Sequence, residues 1–263
     1  MPFAVRFILG LLAFGNVGNA LAALTADYQF QHTLTSTVGA APALTDVGPG
    51  TNGFAIETVD GKNRTVLTFP RGNGLQLAPT TGVTTSSTYT IVLLARLLDT
   101  TNFRRYIDFK NGSSDTGLYN SSGRLVFYDF AQGAGTPITA NSYRQVVITR
   151  DVTATVVGYV DGVQQFTFND SGGGGIITAN TLRFFVDDAT VSGEDSAGAV
   201  ARIRVFDTAL TPDQVAALGR APAPAPAGAV VPVPTLSPIA LLVLMLLLGA
   251  VVLAAGRARR SPR

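Results

Sequence analysis

The sequence has no cysteine, no tryptophan and a single histidine, His32, among its 263 residues. Without cysteine there is no disulfide, no thiolate metal site and no cysteine nucleophile. One histidine leaves almost nothing from which to build a Ser-His-Asp triad or a multi-histidine metal centre. Only two glutamates occur, Glu57 and Glu194, so any paired-carboxylate chemistry would depend mainly on aspartate.

Basic residues are scarce in the central part of the chain, although the whole sequence has a formal net charge of +2. Residues 24–219 contain all 17 acidic residues but only 13 of the 19 basic ones, which gives this region a net charge of −4. Phosphate binding requires a basic face on the folded part of a protein. Nucleic acid is therefore not an expected partner.

Residues 1–22 are predicted to be a secretory signal peptide. Arg6 precedes the short apolar segment 7–14, and Ala20 and Ala22 are the small residues expected before a cleavage site. The alternative, a buried first strand or helix, is less favoured because a short apolar core followed by an Ala-x-Ala site is typical of an export signal. We therefore expect export, with cleavage after Ala22.

A second apolar segment, residues 238–255, is predicted to form a transmembrane helix. Its 18 residues carry no charge, and as a helix they would be about 27 Å long, close to the hydrocarbon thickness of a bilayer. The arginine-rich tail that follows predicts a cytoplasmic C-terminus, with the central region outside. The Ala/Pro-rich segment 220–234 favours an extended, semi-rigid linker.

A short motif lies directly before this apolar segment and consists of Val233, Pro234, Thr235, Leu236 and Ser237. Together with the helix and the arginine-rich tail, residues 233–263 resemble the bacterial PEP-CTERM sorting signals, in the variant that carries Ile-Pro-Thr-Leu-Ser. The resemblance implies cleavage near the motif by an exosortase-type membrane protease and transfer to the cell surface or extracellular matrix. A plain single-pass membrane anchor is the alternative.

The central region contains short runs of β-branched and aromatic residues, separated by glycine, asparagine, aspartate and serine. Such runs, about ten residues apart, predict an all-β antiparallel sandwich rather than alternating strands and helices. The predicted strands are 89–96, 105–109, 124–130, 144–150, 155–160, 163–168, 182–186 and 200–206.

Local signals predict a hairpin, the direction of side chains in the last strand, and one short helix. Asp161-Gly162 is a strong hairpin turn. In the last strand, alternation predicts that Ile203 faces the core and Arg204 faces solvent. The capping box that begins at Thr211 predicts a helix that ends at Gly219 and packs over an open end of the sandwich.

Two long motifs occur in residues 23–219. The first, within residues 142–170, includes the Tyr-Val-Asp-Gly sequence at 159–162, and the second occupies residues 204–218. Both resemble motifs of the laminin-G-like domains of the concanavalin-A-like lectin/glucanase superfamily. The resemblance implies a jelly-roll sandwich. It also implies a binding module for a glycan or extracellular polymer, in which calcium assists some members.

The carboxylates do not show the strand spacing of a glucanase of this superfamily, which places alternate acids on one face. We therefore expect no enzymatic activity. Residues 187–195, called the acidic loop below, are instead a candidate calcium site, because hard oxygen ligands suit Ca²⁺. A solvated loop without a bound ion is the alternative. The predicted calcium ligands are Asp187, Asp188, Glu194 and Asp195, and Asp188→Ala is expected to remove a calcium effect without harming the fold.

Sugar binding requires an aromatic platform with polar groups beside it. Tyr106, Tyr119 and Tyr128 are the predicted ligand contacts, because a tyrosine hydroxyl is awkward to bury. Arg104 and Arg105 are interpreted as a solvated pair. The predicted function is a surface-anchored or matrix-sorted binding module, and the alternative is a structural surface or biofilm-matrix protein without a specific ligand.

Overall fold

Fifteen strands and one helix make up residues 22–219, which are the part of the chain that the computed structural model describes. The strands are β1 (Leu24–Tyr28), β2 (Thr45–Val47), β3 (Gly53–Val59), β4 (Lys62–Phe69), β5 (Gly74–Leu77), β6 (Tyr89–Leu97), β7 (Phe103–Asp108), β8 (Gly117–Ser121), β9 (Arg124–Tyr128), β10 (Ala131–Gln132), β11 (Arg144–Arg150), β12 (Thr155–Val160), β13 (Val163–Asn169), β14 (Leu182–Phe184) and β15 (Gly198–Phe206). The helix is α1 (Pro212–Ala216).

The strands form two antiparallel sheets. In the eight-stranded sheet the order is β13-β12-β11-β6-β15-β4-β3, and β1 also pairs with β15. In the seven-stranded sheet the order is β10-β9-β8-β7-β14-β5-β2. The predicted all-β antiparallel sandwich is confirmed, and the arrangement is consistent with a jelly roll.

One large hydrophobic core lies between the sheets, and strand β6 shows why it forms. Ile91, Leu93 and Ala95 point into this core, as the period of two in a strand requires. The intervening residues Val92 and Leu94 are also apolar and are buried on the other face of the sheet. The centre of the eight-stranded sheet therefore needs a cover on its outer face.

Helix α1 provides part of that cover. Thr211 caps it, with Gln214 completing the predicted capping box. Val215 lies in a buried cluster with Val92 and Val147. The helix therefore packs on the outer face of the eight-stranded sheet, not over an open end as predicted, and it ends at Ala216, before Gly219.

The predicted exposure of Arg204 is wrong. This side chain lies opposite the inward-facing Ile203, but the end of the chain around α1 covers it, and Arg204 is 8% exposed. Its guanidinium donates to the carbonyl oxygens of Leu218 and Gly219, each at 3.3 Å. Burial lowers the pKa of Arg204 to about 10.

The strands predicted from local pattern are all present, β11 and β12 with the predicted ends and the others with ends shifted by one or two residues. The strands before residue 89, β8 and β10 were not predicted. The Asp161-Gly162 hairpin is confirmed, and both residues have positive φ, at 50° and 81°. In β3 the large apolar residues Phe54 and Ile56 lie on the exposed face, and β4 begins with the polar residues 62–64. Neither strand therefore shows the sequence pattern of a buried strand.

Several predictions concern residues 1–21 and 220–263, which lie outside the described part of the chain. These are nearly all of the signal peptide, the linker, the sorting motif from Val233 to Ser237 and the transmembrane helix 238–255. No helix within residues 22–219 is long and apolar enough to cross a membrane.

Candidate ligand-binding site

Arg105 is the centre of a cluster on the outer face of the seven-stranded sheet. Its side chain is inaccessible to solvent and forms an ion pair with Asp188, which is equally inaccessible. The carboxylate of Asp115 lies 3.4 Å from the guanidinium, and that of Asp108 lies 3.9 Å away. The guanidinium also lies over the ring of Tyr119, 4.5 Å from its centroid. The expectation that Arg105 is solvated is therefore wrong.

Arg104, its neighbour in the chain, is also buried rather than solvated. It pairs with Asp99 at 2.5 Å. Its guanidinium also donates to the carbonyl oxygen of Gly193 at 3.0 Å, which ties β7 to the acidic loop.

Tyr106 is not a ligand contact, because it lies in the core. The pairing of β7 with β8 shifts register between Arg105 and Ile107, so simple alternation fails at this point. Tyr106 is fully buried, and its hydroxyl has no hydrogen-bond partner within the described residues. A ligand at the surface cannot reach it.

Tyr119 is also buried, and its environment explains how a hydroxyl is accommodated there. The hydroxyl lies 2.8 Å from the backbone oxygen of Asp115 and 2.9 Å from its carboxylate, so an acceptor is available without water. Arg105 covers one side of the ring, and Phe103 and Tyr128 make edge contacts with it. Tyr119 therefore supports the surface aromatics and is not a direct ligand contact.

The four predicted calcium ligands do not converge on one point. The carboxylate of Asp187 accepts hydrogen bonds from the backbone N–H groups of Glu194 at 2.8 Å and of Asp188 at 3.0 Å. Asp195 points away to Arg71, 2.9 Å from its guanidinium. Neighbouring residues on a short loop thus direct their carboxylates to different partners.

A different set of three carboxylates does converge. Asp115, Asp188 and Glu194 each offer one oxygen, and these oxygens all lie within 4.8 Å of one another. Sequence reasoning included Asp188 and Glu194 but missed Asp115, which comes from the segment before β8. Only the pairing of β7 with its neighbours brings that segment to the acidic loop.

Burial and neighbouring charges shift the pKa values of this cluster in opposite directions. Burial raises the pKa of Glu194 to about 7, and the nearby carboxylates of Asp115 and Asp187 add to the rise. Burial would also raise the pKa of Asp188, but the Arg105 guanidinium and two backbone N–H groups outweigh it and hold that pKa below its usual value. The single cation Arg105 therefore does not neutralise the whole cluster.

An open pocket of about 330 Å³ lies beside this cluster, where β9 turns into β10. It is lined by Phe103, Val126, Phe127, Tyr128, Asp129, Phe130, Ala131 and Gln132. The turn is held by the backbone N–H of Phe130, which donates to the carbonyl oxygen of Phe127 at 2.8 Å. Of the three predicted tyrosines, Tyr128 alone lines this pocket.

Phe130 is the most exposed aromatic residue of the pocket, with 44% of its surface accessible. Its ring stacks on that of Phe168, with centroids 5.3 Å apart and planes 18° from parallel. Sequence reasoning selected three tyrosines and did not select Phe130. The position of Phe130 in a turn between two short strands, which keeps its ring out of the core, was the signal that could have identified it.

Two antiparallel sheets packed around one central core define a β-sandwich of the jelly-roll type. The chain belongs to the concanavalin A-like lectin/glucanases superfamily, because the laminin-G-type family model matches residues 69–216, more than half of the chain. The resemblance stated from the sequence motifs is thus confirmed. No curated protein matches the sequence.

Solved structures show the same fold at low sequence identity. Domain 4 of AbnA, a GH43 extracellular arabinanase from Geobacillus stearothermophilus solved with arabinotriose, is 20% identical with a TM-score of 0.54, covering 74% of this chain and 98% of that one. The botulinum neurotoxin serotype G binding domain is 11% identical with a TM-score of 0.52, covering 74% and 50%. A structure of botulinum neurotoxin type C, a toxin whose cell entry depends on interaction with two ganglioside molecules, is 13% identical with a TM-score of 0.50, covering 75% of this chain and 50% of that one.

Proposed function

We propose that the protein is a glycan-binding module that acts outside the cell, and that the pocket at the β9–β10 turn receives the sugar. The observation that carries this proposal is the combination of exposed aromatic rings with free polar groups in one depression. Tyr128 and Phe130 offer apolar surface, and Asp129 and Gln132 offer hydrogen-bonding groups.

The chemistry of a sugar suits this lining. A pyranose or furanose ring has an apolar C–H face and a rim of hydroxyl groups, so it binds to an aromatic platform flanked by polar side chains. A pocket near 330 Å³ lies at the small end of the range for ligand sites, which suits a short stretch of a polymer. Two structural neighbours support the same class of ligand, since domain 4 of AbnA was solved with arabinotriose and the cell entry of botulinum neurotoxin type C depends on two ganglioside molecules.

Export and anchoring complete the proposal. We expect cleavage after Ala22, and the described contacts suit a start at Ala23, whose backbone nitrogen donates to the carboxylate of Asp207 at 2.9 Å. Cleavage there would place the new positive amino terminus against that carboxylate. The C-terminal signal would then retain the domain at the membrane, or deliver it to the cell surface or matrix after exosortase-type processing.

Calcium is proposed as an assisting ion, with a revised ligand set. The convergence of one oxygen each from Asp115, Asp188 and Glu194 supports this proposal, because carboxylate oxygens suit a hard cation. The nearby carboxylates that help to raise the pKa of Glu194 would also attract a cation. Arg105 already supplies one positive charge to this set. Calcium would therefore act by neutralising Glu194 and stiffening the loop beside the pocket.

Binding without catalysis is proposed, although a carboxyl with a raised pKa is also typical of a general acid. A glycosidase needs a second carboxylate that can reach the substrate. Of the two carboxylates that converge with Glu194, Asp188 is inaccessible to solvent and bound to Arg105. Asp115 lies 3.4 Å from the same guanidinium and accepts the Tyr119 hydroxyl. We therefore propose that neither carboxylate acts on a substrate.

A glycan array probed with the purified full chain, in millimolar calcium and in chelator, tests the proposal. Phe130→Ala should reduce binding strongly because it removes the exposed ring. Phe54→Ala is the matched control, since Phe54 is 37% exposed and lies on the edge strand β3 of the other sheet. If the wild-type chain binds no glycan, or if both variants lose binding equally, the alternative of a structural matrix protein without a specific ligand is favoured.

A further inference from the structure

Asp129 is the one charged residue in the lining of the pocket. It is exposed, and within residues 22–219 its carboxylate takes part in no hydrogen bond or ion pair. Other aspartates on this side of the domain have arginine partners, as Asp188 has Arg105 and Asp99 has Arg104. Asp129 thus lines the pocket with a carboxylate that no described residue occupies.

The lining residues include no lysine, arginine or histidine. The groups that usually bind acidic ligands are therefore missing from the pocket as the structure describes it. The neighbouring cluster is also rich in carboxylates, and residues 24–219 together have a net charge of −4. Both short-range and longer-range electrostatics oppose an anion here.

We propose that Asp129 makes this pocket selective for neutral sugars that carry two adjacent hydroxyl groups, and that the same carboxylate discriminates against uronic acids and other acidic sugars. This inference rests on the glycan-binding function proposed above. The sugar ring lies on Tyr128 and Phe130, while the two oxygens of Asp129 accept hydrogen bonds from the adjacent hydroxyls.

The geometry of a carboxylate explains both parts of the selectivity. Its two oxygens accept hydrogen bonds from a pair of donors side by side, and hydrogen bonds to an ionised acceptor are stronger than neutral ones. A sugar carboxylate offers no donor there and brings a like charge close to Asp129. At an exposed site this repulsion corresponds to about a fivefold loss of affinity, and salt screens it.

The test compares the wild-type full chain with Asp129→Asn on an array that contains neutral oligosaccharides together with uronate- and sialate-containing ones. The best neutral ligand and the best acidic ligand are then titrated by calorimetry at low and high salt. Asp213→Asn is the matched control, because it removes the same charge from the exposed first turn of α1, away from the pocket. Circular dichroism checks that each variant is folded.

We expect wild-type protein to prefer neutral sugars, and Asp129→Asn to weaken neutral binding while it strengthens acidic binding by about fivefold. High salt should improve acidic binding to the wild type and leave neutral binding nearly unchanged. The control should behave as wild type. Equal binding of both classes with no response to Asp129→Asn would overturn the selectivity while glycan binding stands, whereas failure to bind any glycan would overturn both proposals.

Discussion

The buried ion pair between Arg105 and Asp188 makes Asp188→Ala the sharpest test of the structure. Sequence reasoning expected this variant to leave the fold intact. The structure shows instead that the carboxylate is inaccessible and that it binds the guanidinium of Arg105 and the backbone N–H groups of Thr190 and Val191. Removing it leaves a buried guanidinium with weaker partners.

The expected loss can be estimated from these contacts. Breaking a buried ion pair by removing one partner costs about 3–5 kcal/mol. The lower end applies here, because Asp115 and Asp108 still lie 3.4 Å and 3.9 Å from the guanidinium. A loss of about 3 kcal/mol corresponds to a decrease in melting temperature of about 6–12 °C for a domain of this size.

Thermal and urea unfolding of the full chain, followed by circular dichroism, would measure the loss. Asp99→Ala is the matched control, because Asp99 also pairs with an arginine, Arg104, but its side chain is 41% exposed. An exposed pair contributes at most about 1 kcal/mol. If Asp188→Ala melted within about 2 °C of the wild type, an inaccessible ion pair at this position would be refuted.

Two further predictions concern pH and the last strand. The pKa of Glu194, raised to about 7, means that the folded state retains this proton where the unfolded state has lost it, so stability should fall as pH rises from about 4.5 to about 7. Glu194→Gln should flatten this profile, and calcium should raise the melting temperature at pH 8 but not at pH 5; an unchanged profile in Glu194→Gln would exclude Glu194 as its source. Ile203→Ala should destabilise by about 2–5 kcal/mol, because Ile203 is fully buried. Arg204→Ala should lower the free energy of unfolding by about 1–2 kcal/mol in urea, because two carbonyl oxygens near α1 lose their donor. If Arg204→Ala left the free energy of unfolding unchanged, the interpretation of Arg204 as solvent-facing would be correct after all.

Local sequence signals determined the parts of the fold that depend on neighbouring residues. The Asp161-Gly162 turn follows from residues that tolerate positive φ, and the capping box at Thr211 follows from contacts within one helical turn. Runs of β-branched and other apolar residues identified β6, β11 and β15, whose ends agree closely with the structure. The laminin-G-like motifs then allowed the family to be recognised.

Tertiary structure alone decided which polar side chains are buried and which aromatic residues are accessible. Arg105 and Tyr106 resemble surface residues in sequence, but the register shift in β7 and a partner 83 residues away bury both the charge and the neighbouring ring. Asp115 joins the acidic cluster because strand pairing brings distant segments together. Strand pairing likewise places Phe103 of β7 against the local segment 126–132 to line the pocket. Hydrophobic alternation is a short-range property that sequence displays directly, whereas the pairing of charges depends on long-range contacts that only the folded chain creates.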